Sequence, residues 1–146
     1  MASKTYDPNA YDVIVAGIRL SGFAEGTFVS ISHDSPGFSD KVGVDGEVAR
    51  VRKHDRRATV TISLMQTSES NDELSQIYNK DRDSQNGAGV FSFRMVDRSG
   101  TTVFEADQAW IQSEPGATFS DEPESRDWEI RCANLRTFHG SNPDDG

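Results

Sequence analysis

The residue types that most often carry chemistry are sparse in this chain and scattered along it. The three histidines, His33, His54 and His139, fall in separate segments, and none stands in an H-x-x-x-H, H-E-x-x-H or C-x-x-C arrangement. That spacing predicts no metal site and places the histidines at solvated strand ends or turns. Cys132 is the single cysteine, so it has no partner for an internal disulfide. It lies two residues from Ile130 and four from Trp128, on one face of an extended segment, which predicts a small core thiol rather than a nucleophile. The run Asp81-Arg-Asp-Ser-Gln-Asn-Gly87 has some of the donors of a calcium loop. Its glycine comes one place late, however, and its twelfth position is Ser92 where a bidentate glutamate is needed. Glu122 and Glu124 flank Pro123 with no candidate nucleophile near them, and there is no phosphate-cradling glycine loop or G-x-S-x-G elbow. The reading is a chain that is not an enzyme and needs no cofactor.

Charge narrows the function classes further. The formal charge is −9, and residues 97–146 hold 11 acidic against 4 basic groups. A nucleic-acid binder gains affinity by neutralising phosphates with Lys and Arg, so an acidic chain of this kind repels DNA. The longest apolar runs, such as Val13 to Ala16, are too short to span a bilayer, and the first eight residues lack the apolar stretch of a signal peptide. Cytoplasmic synthesis with a reduced thiol is the expectation.

The elements that must position these residues are mostly strands. Tyr11 to Leu20 is rich in β-branched residues and stops at Ser21-Gly22; Phe28 to His33 ends at Asp34-Ser-Pro-Gly37. Arg57 to Gln66 alternates strictly, with Ala58, Val60, Ile62 and Leu64 on one side, and is paired in this reading with residues 46–53 as a hairpin. Val90–Asp97, Thr101–Ile111 and Arg126–Phe138 read as long strands, the first two joined at Arg98-Ser-Gly100. Trp110 and Trp128 both fall in strands and are read as core. One helix is expected from Ser70, with Ser70 as N-cap and Glu73 completing a capping box, to about Lys80. Many strands and one short α-helix (about residues 70–80) predict a mainly β, single-domain antiparallel β-sandwich or small barrel with the helix packed at an edge or end. Residues 1–10 are read as an N-terminal arm and residues 140–146 as a disordered tail.

Two features are left over. Arg50, Arg52, Lys53, Arg56 and Arg57 form a basic cluster broken by Asp55, which suits docking against an acidic surface of a neighbouring copy, drawn from Asp107, Glu114, Asp121, Glu122 and Glu124. The segment Asp34–Glu47 contains Pro36, Gly37, Gly43 and Gly46, which leave it little local structure. It is read as an arm that reaches a neighbour and orders there, with Asp34, Phe38, Lys41, Val42, Asp45 and Glu47 as contact residues.

Several strings look familiar in order along most of the chain: Tyr6-Asp-Pro8 leading to Asp12-Val-Ile-Val15; Ser21-Gly-Phe-Ala-Glu-Gly-Thr-Phe28; Lys41-Val-Gly-Val-Asp-Gly-Glu-Val48; Leu64-Met-Gln-Thr-Ser68; Ser99-Gly-Thr-Thr102; and Ala109-Trp-Ile111. In these the chain resembles the tail tube proteins of contractile-tailed bacteriophages. The resemblance implies a hexameric ring of β-sandwich subunits, stacked into a hollow tube through which DNA passes. It implies as partners further copies of itself, a tail sheath protein, and baseplate and tail terminator proteins, with a virion location. The tube of a phage-derived contractile injection device, and less closely a stand-alone β-sandwich binding module, are the alternatives.

Overall fold

The computed structural model describes residues 3–87 and 89–142. Its strands are β1 (Tyr11–Val15), β2 (Ile18–Arg19), β3 (Val29–His33), β4 (Phe38–Val42), β5 (Val48–Arg52), β6 (Ala58–Met65), β7 (Phe91–Asp97), β8 (Val103–Ser113), β9 (Ser125–Cys132) and β10 (Leu135–Phe138). The helix α1 (Ser70–Asp83) lies between β6 and β7. Every pairing between named strands is antiparallel. The main sheet runs β2-β1-β7-β8-β9-β6-β3, with β10 also on β8, while β4 and β5 pair only with each other.

Alternation decides which face is buried. Along β6 Ala58, Val60, Ile62 and Leu64 are fully buried, and they meet Trp128, Ile130 and Cys132 of β9 in register. Val13, Val15, Phe93 and Met95, from β1 and β7 at the other end of the sheet, join the same core. The sheet is therefore folded on itself as a sandwich, and it does not close into a barrel, because its two end strands β2 and β3 do not pair. Register slips in the β7–β8 and β8–β9 pairings give β8 its bends, which let one long strand serve both layers. The stretch expected as one strand from Arg126 to Phe138 is interrupted at Ala133–Asn134, where β9 leaves off and β10 crosses to the other half of β8.

Three expectations need correction. The strand at residues 48–52 does not pair with β6: it pairs with β4, while β6 is flanked by β3 and β9. A strand as strictly alternating and as buried as β6 needs a paired neighbour on each side, and exposed β5 could not supply one. The helix starts without the expected capping box. Glu69 occupies the N-cap without a side-chain bond; Ser68 Oγ accepts from Ser70 N, and Ser70 Oγ accepts from Ser21 N at 3.0 Å. Ser70 thus ties the helix to the chain leaving β2 instead of capping it. The helix also continues past Lys80 to Asp83, and Asp81 Oδ1 accepts from Gly89 N. Finally, Trp110 is not core. It lies opposite Arg131 on the outward face of β8, with its Nε1 donating to Gln112 Oε1.

Both termini are strapped to one turn. Arg98 donates to the carbonyls of Asn9 and Ala10, and Gly140 N and Ser141 N donate to Thr102 Oγ1 and Thr101 Oγ1. The rest of the tail expectation, from residue 143 on, lies outside the described residues.

Candidate functional site

The largest departure from a plain sandwich is the β4–β5 hairpin. Gly46 closes its turn at φ 88°, a left-handed backbone that suits glycine, while Gly43 N donates to Glu47 O at 2.7 Å and Glu47 N to Asp45 Oδ1. Phe38, Asp40 and Val42 stand opposite Arg52, Arg50 and Val48, so these six side chains share one face. The Arg50 guanidinium lies 4.5 Å from the centre of the Phe38 ring. Among the described residues nothing covers the hairpin: Phe38 is 50% exposed, Val42 69% and Val48 58%. The segment expected to lack local structure therefore forms a strand of its own, because Val42 pairs with Val48 across the five-residue turn Gly43–Glu47. Of the expected contact residues, Phe38, Lys41 and Val42 stand on β4, Asp45 and Glu47 at the turn, and Arg50 and Arg52 on β5.

The other expected residues separate. Asp34, at the end of β3, is ion-paired with Arg131 of β9 and lies 3.8 Å from Arg57. Arg57 folds back onto Asp55, its Nε and Nη2 each 2.9 Å from a carboxylate oxygen. Those two bonds, with Arg57 N and Ser35 Oγ also donating, hold the Asp55 carboxyl well below the ordinary carboxylate range. Asp34, Asp55 and Arg57 are thus committed within the chain. Lys53 and Arg56 remain exposed at the root of the hairpin, where they border an open cleft of about 850 Å³ with His33, Pro36, Phe38 and Arg136. Sequence spacing did not reveal this cleft, since His33, residues 52–56 and Arg136 come from three distant segments.

The acidic set also divides. Asp107 is on β8, in a small hollow with Arg136, whereas Glu114, Asp121, Glu122 and Glu124 all belong to the irregular loop 114–124. That loop joins β8 to β9 at the Met65 end of β6, held there by Gln66 N donating to Glu124 O and Glu124 N to Gln66 Oε1. The basic cleft lies at the Ala58 end. Eight residues of β6, roughly 27 Å of strand, separate the two. Among the described residues no group of three His, Cys, Asp or Glu side chains is placed to hold a metal, and no helix is long and apolar enough to cross a membrane.

The chain is a mainly β sandwich that carries an exposed two-stranded hairpin, a basic cleft at one end and an acidic loop at the other. It belongs to the family described as the bacteriophage PhiTE tail tube protein, which matches residues 15–140. The chain is 35% identical to "Structural protein ORF10" of Pseudomonas phage KPP10, a match that takes in 96% of this chain and 84% of that protein. The fold is similar to that of the sheath/tube terminator of an extracellular contractile injection system, PVC, in the extended state, at 12% identity and TM-score 0.64, covering 94% of this chain and 99% of the other. It is also similar to the tube-terminating cap of the anti-feeding prophage (9%, TM-score 0.62, covering 94% and 93%) and to a chain of the native gene transfer agent virion (12%, TM-score 0.63, covering 92% and 100%).

Proposed function

We propose that this tail tube-type protein is the repeating subunit of the tube itself, six copies to a ring, with rings stacked head to tail around a lumen. The observation that carries the reading is the uncovered β4–β5 hairpin. A lone two-stranded hairpin is marginally stable in water, and this one exposes Phe38, Val42 and Val48, so it needs a surface to lie on. A neighbouring copy supplies that surface in every subunit of a ring or stack, and contacts between unlike patches propagate without limit when they do not close. The function is passive in this reading: an acidic subunit offers DNA no counterion release, so genome slides through during ejection without binding. Sheath, baseplate and terminator proteins complete the tail, and the subunit's role is mechanical.

Negative-stain imaging of the purified protein tests this. Rings or tubes about 100 Å across are expected, the size that several domains of ~15 Å radius of gyration make around a channel. Deleting Phe38–Val44 should leave a folded monomer that forms neither. Normal tubes from the deletion variant would show that the hairpin is dispensable. The tube of a phage-derived injection device would look the same by this test, and DNA inside particles purified from the producing cell separates the two.

A further inference from the structure

Resting on the assembly reading above, we propose that the acidic loop 114–124 of one copy seats in the basic cleft of the next, with the Phe119 ring entering beside Pro36 and Phe38. The loop holds four carboxylates and no basic residue, and Phe119 stands 77% exposed at its centre, with the Arg126 guanidinium 5.4 Å from its ring centre. A bare aromatic flanked by Asp121, Glu122 and Glu124 has the composition of an anchor with a charged rim.

The cleft has the matching chemistry. Arg52, Lys53, Arg56 and Arg136 border it, together with His33 and His54. Of the carboxylates nearby, Asp55 is held by Arg57 and Ser35 and Asp34 by Arg131, while Glu105 and Asp107 share a hollow with Arg136, so the charge left open to a partner is that of Arg52, Lys53 and Arg56. Its volume of about 850 Å³ admits a phenyl ring with the backbone on either side of it. Because loop and cleft lie at opposite ends of β6, a loop cannot reach the cleft of its own copy. The contact is between unlike patches and therefore repeats along a stack.

A synthetic peptide spanning residues 113–125, titrated into the full-length protein at low salt, reads the contact directly. Binding is expected, with the Phe119→Ala peptide at least about tenfold weaker, the loss that removing one buried phenylalanine side chain brings. In the full chain, Phe119→Ser should stop tube growth with the monomer melting temperature unchanged. Mixing that variant, whose cleft is intact, with an Arg52→Glu/Lys53→Glu variant, whose loop is intact, should restore a single one-to-one contact that neither forms alone. Wild-type tubes together with a Phe119→Ser variant that elongates normally, or a peptide that fails to bind, overturn the docking and leave the assembly reading standing. A wild-type chain that stays monomeric at every concentration overturns both.

Discussion

Asn71 shows how much one polar side chain can hold together. Its Nδ2 donates to the carbonyls of Met65 and Ser68, 2.9 and 3.2 Å away, and its Oδ1 accepts from Trp128 Nε1 at 2.9 Å, so one amide joins the end of β6, the start of α1 and the core of β9. Asn71→Ala leaves the Trp128 N–H unpaired in a nearly dry site and should cost about 1–3 kcal/mol in urea unfolding, with Asn71→Asp retaining part of that because it keeps the acceptor. Cys132 makes a second residue-scale case. Burial pushes its thiol up from 9.0 to about 11, with the neighbouring Arg131 charge opposing only in part. A folded-state value above the unfolded one means that the folded protein holds this proton more tightly. The associated stability is full below about pH 9 and is lost as pH rises through about 11. The Tyr11 hydroxyl, raised chiefly by burial and then by Asp97, acts in the same direction. The urea midpoint should therefore fall between pH 9 and pH 11, less steeply in Cys132→Ala, and native Cys132 should resist a thiol reagent at pH 8 until the protein is unfolded.

At the scale of elements, stability should be divided between sandwich and hairpin. β6 is paired on both sides and buried on one face, whereas β4–β5 has only its own pairing and a five-residue turn. Native-state hydrogen exchange should accordingly show β6 amides opening only with global unfolding. Those of β4 and β5 should open at far lower free energy in the unassembled protein and become protected in tubes. Equal protection in the monomer would mean that the hairpin is covered within one copy. The same contrast explains what could be read from sequence. Alternation marked β6 and the inward residues of β9 because burial on one face forces period two. The hairpin carries no such signal: both of its faces are exposed, so the sequence reads as an arm over Asp34–Glu47 and as a partner of β6 over residues 46–53. Trp110 misled for a related reason, since large aromatics in strands are usually core, and here the bends of β8 turn it outward. The basic cluster is visible in sequence, but its division into committed Arg57 and open Arg52, Lys53 and Arg56 depends on Arg57 folding back onto Asp55, which no spacing rule reports.

For the whole molecule, the decisive property is that its charge is polarised: the basic cleft and the acidic loop lie at opposite ends of one sandwich. A chain of net charge −9 should repel its own kind at long range, so copies approach productively only when the minority basic end leads. Single exposed ion pairs contribute about 0–1 kcal/mol, which places the effect in the cluster and its repetition in every subunit. The variant that tests this must spare the hairpin. Arg50 stands directly opposite Asp40, and reversing it would set two carboxylates face to face across β4 and β5. Arg52→Glu, Lys53→Glu and Arg56→Glu together avoid that pair. The triple variant should slow or abolish tube formation, followed by light scattering, while changing the monomer melting temperature by no more than a few degrees. Raising salt from about 0.05 to 0.5 M, which shortens the screening length below the spacing of the charges, should slow wild-type growth and narrow the gap between the two proteins. Growth of the triple variant at the wild-type rate in both salts would mean that this basic end faces solvent or the sheath, and that stacking relies on apolar contact alone.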